Sequence, residues 1–171
     1  MNKTKKMVVL SLMVSIALII YVIEAQVPVL FPGIKLGLAN LVSLAALIIF
    51  GWKEALLIMF LRTLLGSMFG GSMSAFLFSI AGGLLSNFVM IILYKFFRNS
   101  LSLWSISIMG AIFHNIGQLL VASLEIQDLR IYIYLPVLMV SALITGYFIG
   151  VCTNFLVKHL NKIPILNDLI N

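Results

Sequence analysis

MVVLSLMVSIALIIYVI, Met7 to Ile23, holds no charged residue, and its clearest polar side chains are Ser11 and Ser15. A run of this length and apolarity reads as a membrane-crossing helix, because a helix rises about 1.5 Å per residue and the hydrocarbon core is about 30 Å thick. The chain around it repeats the pattern. Of 171 residues, 63% are hydrophobic and only 9% charged, and the mean hydropathy is +1.20. A soluble domain carries about 25% charged residues. So few charges cannot cover a fold of this size in water, so the bilayer is the solvent for most of it. The expected fold is all-α: one polytopic bundle of about six transmembrane helices, with no separate soluble domain.

The basic start, Met1 to Lys6, and Ala25 beyond the first run also fit a secretory signal with its cleavage site. The run is long and many further apolar runs follow, so an uncleaved first helix is the expectation. The spans read as about 7–23, 34–50, 54–67, 75–94, 103–124 and 132–157. Between the first two, Pro28 and Pro32 break helix and demand a turned or extended loop. Gly51–Trp52–Lys53 forms a tight interfacial turn. Phe69 to Ser74, with Gly70 and Gly71 in it, reads as a flexible link between the third and fourth spans. Pro164 lies in a polar tail.

Charge then sets a direction. In this arrangement Lys3, Lys5, Lys6, Lys53, Lys95, Arg98, Lys158 and Lys162 fall on one side, and Lys35, Arg62 and Arg130 on the other. The positive-inside rule places the first group, and both termini, in the cytoplasm. A net charge of +6 therefore reads as a topology signal and a headgroup contact, not as a nucleic-acid surface. The expected location is the bacterial cytoplasmic membrane. The single Cys152 excludes an internal disulfide.

Polar side chains in hydrocarbon are costly and mark interiors or sites. Glu24 ends the first helix, Lys35 starts the second, and Asn40 lies about 7–8 Å deeper by helical rise. Arg62 sits in the outer part of the third helix. His114, Asn115 and Gln118 run from the middle to the outer half of the fifth. All converge on the outer half, which predicts a pocket open to the outside above an apolar inner half. His114 and Gln118, four apart, share a face. Two readings stand for most of these residues. Lys35 snorkels to headgroups or meets a ligand. Arg62 pairs with Glu24 or holds a carboxylate or phosphate in a two-pronged grip. Asn115 by itself reads better as an interhelical hydrogen bond. Taken together they suggest a small-molecule ligand with a polar or anionic group.

Other chemistry finds no support. The two aspartates, Asp128 and Asp168, are far apart, so no aspartate pair can hold Mg²⁺ on a diphosphate. No Walker A loop, no transition-metal spacing and no nucleophile–base arrangement is present. The chain is expected not to be an enzyme and to need no cofactor. The small-residue spacings Ser11/Ser15, Ser79/Gly83 with Ser86, and Gly146/Gly150 permit close helix contact, within the chain or with a partner.

Three segments carry a resemblance: Glu24…Pro28…Phe31-Pro-Gly-Ile-Lys-Leu-Gly-Leu-Ala-Asn40, Leu61-Arg-Thr-Leu-Leu-Gly66, and Gly110-Ala-Ile-Phe-His-Asn-Ile-Gly-Gln118. With Ser79-Ile-Ala-Gly-Gly83 they resemble the Gx transporter family, often labelled "heptaprenyl diphosphate synthase component I". The likeness covers about Lys5 to Gly150. The family is similar in size and topology to the S components of energy-coupling factor (ECF) vitamin transporters. That resemblance implies a substrate-binding subunit. It would take a nutrient from outside and dock, through small residues of the first helix, on a transmembrane coupling subunit with two ATPases. Ser11 and Ser15 stand where many S components have alanines. The expected function is uptake of a small vitamin-like, flavin-like or isoprenoid-related molecule. The alternative is a noncatalytic membrane subunit tied to heptaprenyl diphosphate and quinone synthesis, or to flavin-dependent extracellular electron transfer. A self-standing channel fits less well, because the inner half lacks a polar path.

Overall fold

The computed structural model describes residues 3–24, 26, 36–70 and 73–160. Among them every regular element is helical: α1 (Lys3–Glu24), α2 (Asn40–Ile49), α3 (Trp52–Gly70), α4 (Met73–Phe97), α5 (Leu103–Ile126), a 3-10 turn (Leu129–Tyr134) and α6 (Leu135–Leu160). Four segments are long and apolar enough to cross a membrane: α1, α4, α5, and the 3-10 turn together with α6. At 19 residues α3 is also long, but Lys53, Glu54 and Arg62 all lie on it.

The helices alternate in direction. Lys6 of α1 pairs with Glu54 at the start of α3. Ser74 at the start of α4 pairs with Glu125 at the end of α5. Arg98, just past α4, and Lys158 of α6 line one cavity with the end of α2. One end of the bundle thus gathers Lys6, Lys53, Lys95, Arg98 and Lys158, and is called the basic end below. The other carries Glu24, Glu125, Asp128 and Arg130. At the basic end Lys53 lies over the Trp52 ring, Lys95 over Phe96 and Arg98 over Tyr94. Aromatic rings paired with cations are what a membrane–water interface favours.

The surface makes the same point about solvent. On α1, Val8, Leu12, Ile16, Ile19 and Ile23 form an exposed stripe, and on α6 Val140, Ile144, Phe148, Val151 and Phe155 form another. Apolar surface this continuous is stable only against lipid or a partner. This chain is a helical membrane protein.

The helix α2 is central. Most of its length is buried, including Leu44, Ala45 and Ala46, among α1, α3, α4 and α6. A helix apolar on every face belongs in such a position. It begins at Asn40, later than the Ile34 that hydropathy predicts. The reason is local. Gly37 takes a left-handed φ of +81°, open to glycine at little cost, and Leu38–Ala39 form a turn before the first helical residue. Helix covers Phe69 and Gly70 on one side of the expected flexible link and Met73 and Ser74 on the other, and residues 71 and 72 lie outside the described residues. At the start of α6, Pro136 stands in the first turn, where a missing N–H costs nothing.

The α4–α5 and α5–α6 contacts are the most extensive in the bundle, and glycines permit them. A Cβ on Gly117 would stand 2.8 Å from the carbonyl oxygen of Ala81, and one on Gly150 would stand 2.3 Å from Cα of Trp104. The small-residue spacings on α4 and α6 therefore serve packing within the chain. Ser11 and Ser15 differ: both are exposed on α1, and the Ser15 hydroxyl donates to the Ser11 carbonyl at 3.0 Å.

Candidate polar site

Four residues on one side of α1 are buried: Met13, Ala17, Tyr21 and Glu24. Their spacing of four, four and three is a helix face turned to the bundle. Glu24 closes that face and is only 3% exposed. Its carboxylate accepts from the backbone N–H of Gly37 and, at 3.2 Å, from that of Leu38. The end of α1 is thereby tied to the turn that opens α2. A buried carboxylate is tolerable when charge-assisted bonds and an opposite charge replace its water. That charge is Arg62, close enough to interact electrostatically with both Glu24 and Tyr21.

Arg62 is 3% exposed. It donates through Nη2 to the side-chain oxygen of Asn40 at 2.7 Å. Asn40 in turn donates through Nδ2 to Ser86 Oγ on α4 at 3.3 Å. Tyr21 and Ser79 share a hydroxyl–hydroxyl bond of 3.0 Å. A Cβ on Gly37 would lie 3.0 Å from His114 Cδ2 and 3.1 Å from Asn40 Nδ2. One on Gly82 would lie 2.9 Å from Gln118 Cγ and 3.0 Å from His114 Cε1. These two glycines let the His114 and Gln118 side chains of α5 lie close against α4 and the turn before α2.

Glu24, Asn40, Arg62, His114 and Gln118 are therefore gathered in one buried layer, drawn from α1, α2, α3 and α5, with Ser79 and Ser86 of α4 joining them. Asn115 is not with them. Its amide donates to the Leu138 carbonyl of α6 at 2.8 Å, an interhelical bond on another face of α5. Lys35 lies outside the described residues. Tyr21, Gly37, Ser79 and Ser86 belong to the layer and are absent from the sequence-based set. Tyr21 carried a signal, since it stands one helical turn before Glu24. Gly37 carried none beyond being a glycine near a helix start.

The layer holds unspent hydrogen-bonding capacity. Among the described residues, the buried Arg62 Nε has no hydrogen-bond partner. Buried polar atoms are nearly always paired, so each exception calls for a reason. Chemically the layer offers a cationic fork, amides and an imidazole: groups that bind and orient a polar or anionic moiety. Among the described residues no three His, Cys, Asp or Glu side chains gather to hold a metal ion.

No curated protein and no solved structure matches the chain significantly. A sequence profile of one family does match, over residues 13–156, and its description reads "Heptaprenyl diphosphate synthase component I". The match begins within α1 and ends within α6, so it spans every residue of the polar layer, and the chain belongs to the heptaprenyl diphosphate synthase component I family.

Proposed function

We propose that the chain is the substrate-binding, S-component-like subunit of an ECF-type or related transporter, holding a small molecule at its polar layer. The ligand class is vitamin-like, flavin-like or isoprenoid-related, with a polar or anionic group facing Arg62. One observation carries the reading: a fully sequestered guanidinium has one fork engaged by Asn40 while its Nε has no hydrogen-bond partner among the described residues. An arginine placed for structure alone would be expected to have all its donors paired. One with a donor left over suits a ligand carboxylate or phosphate. In this reading the layer faces the outside, both termini are cytoplasmic, and the exposed Ser11/Ser15 face of α1 docks on the coupling subunit.

The test is to identify what the protein carries. Mass spectrometry of denatured, purified protein should release a small polar molecule. Adding that molecule should raise the melting temperature, because binding to the folded state alone stabilises it by mass action. Arg62→Lys and His114→Ala should weaken the shift. If no molecule is released, and no vitamin, flavin or prenyl diphosphate moves the melting temperature, the reading fails.

A second reading is a noncatalytic membrane subunit associated with heptaprenyl diphosphate or quinone synthesis, which the family's description favours, or with flavin-dependent extracellular electron transfer. Stable co-purification with a soluble synthase or a redox protein would support it. Co-purification with ECF-type ATPases would support the transporter instead.

A further inference from the structure

A second site lies at the opposite end of the bundle. Arg98 follows α4, Ser102 caps α5, and Lys158 is on the last turn of α6. With Tyr94, Trp104 and Asn154 they line a cavity of about 580 Å³. Its floor is apolar: Ile49, Ile106 and Val157 are all buried. The Arg98 guanidinium sits 5.3 Å over the Tyr94 ring, which holds it at the mouth. Neither Arg98 nor Lys158 is in a salt bridge among the described residues, whose ion pairs are Lys6–Glu54 and Arg130–Asp128. The N-terminus of α5 adds its positive dipole end to the same mouth.

Ile49 also lines a neighbouring groove of about 390 Å³. There Val9, Leu12 and Ile16 of α1 face Phe50, Leu156 and Leu160 across a wholly apolar channel. A basic, partly polar cavity therefore adjoins an apolar groove that opens on the lipid-facing side of α1. Two unpaired cations call for an anion, and a groove in contact with the bilayer calls for a hydrocarbon chain. One class of molecule satisfies both. We propose that this is a binding site for an anionic phospholipid of the adjacent leaflet, its phosphate between Arg98 and Lys158 and an acyl chain along the α1–α2–α6 groove. Paired cations between transmembrane helices are the usual reader of such headgroups. The site is separate from the polar layer, so it stands whether or not a transported ligand is found.

Trp104 supplies the readout. Trp52 and Trp104 are the only two tryptophans, so Trp52→Phe leaves a single reporter at the cavity. The protein is reconstituted in phosphatidylcholine vesicles containing a low mole fraction of either brominated phosphatidylglycerol or brominated phosphatidylcholine. Trp104 quenching by the anionic lipid should exceed that by the zwitterionic one, by about 25-fold in apparent affinity, since each of the two basic residues contributes a factor of roughly five. Arg98→Gln with Lys158→Gln should abolish the preference. Lys53→Gln with Lys95→Gln, which removes the same charge from the same end, should preserve it. Both pairs replace exposed side chains, and unchanged helical circular dichroism establishes that the variants fold. Equal quenching by the two lipids overturns the proposal, as does a preference that survives Arg98→Gln/Lys158→Gln or falls equally in the control pair. Relief of the quenching by micromolar farnesyl diphosphate would reassign the cavity to a soluble diphosphate and overturn the phospholipid as occupant.

Discussion

Arg62 donates to Asn40 across 2.7 Å with both side chains buried, which joins the middle of α3 to the first residue of α2. Arg62 also faces the charge of Glu24, so the bond lies within a larger buried network. Removing Arg62 leaves the buried side-chain oxygen of Asn40 without its donor, and a buried acceptor left unsatisfied costs about 1–3 kcal/mol. Arg62→Met should therefore lower the unfolding midpoint sharply, and the double variant Arg62→Met/Glu24→Gln should recover part of the loss. Thermal unfolding in detergent measures both. A single-variant cost under about 1 kcal/mol, the usual ceiling for an exposed pair, would mean the network is far weaker than its burial implies.

The Tyr21–Ser79 bond ties α1 to α4. Hydrogen bonds inside membrane proteins average about 0.6 kcal/mol, with a maximum near 1.7. Tyr21→Phe and Ser79→Ala should each cost that little, and a double-mutant cycle should return a coupling in the same range. The ring of Tyr21 matters more than its hydroxyl, since a Cβ on Gly66 would stand 2.3 Å from it. Gly66→Ala should hence exceed Tyr21→Phe in cost.

Gly83 and Gly117 separate two kinds of close packing. A Cβ on Gly83 meets the flexible Met59 side chain at 2.8 Å, whereas one on Gly117 meets backbone of α4 at 2.8 and 2.9 Å. A thioether can swing aside and a packed helix cannot. Gly117→Ala should cost about 1–3 kcal/mol as overpacking. Gly83→Ala should cost distinctly less. Equal losses in a side-by-side melt would count against the α4–α5 contact described here.

Orientation is open to direct chemistry. In a Cys152→Ser background, Leu129→Cys and Asn99→Cys place single thiols at exposed positions at opposite ends of the bundle. With the positive-inside arrangement, a membrane-impermeant thiol reagent added to intact cells should label residue 129 and spare residue 99. The reverse pattern would turn the polar layer toward the cytoplasm and remove the basis of uptake from outside.

Much of this was legible in the chain itself. The run from Met7 to Ile23, with others like it, determined a helical membrane protein, since hydropathy is a property of one contiguous segment. The clustering of Lys and Arg at alternate ends determined which loops share a side. Helical rise then set the common depth of Glu24, Asn40, Arg62, His114 and Gln118. Azimuth and partner choice were decided only by the tertiary structure. In lipid a helix is apolar on its outer as well as its inner face, so no amphipathic stripe tells which side meets which neighbour. Asn115 turns to α6 while His114 and Gln118, within a few residues of it, turn to α4. Gly37 adopts φ +81° and brings Glu24 to the start of α2. Arg98 and Lys158, 60 positions apart in the numbering, meet in one cavity because α5 and α6 pack closely through Gly146 and Gly150. Those outcomes depend on which surfaces fit at van der Waals contact, and such fit exists only once the helices have come together.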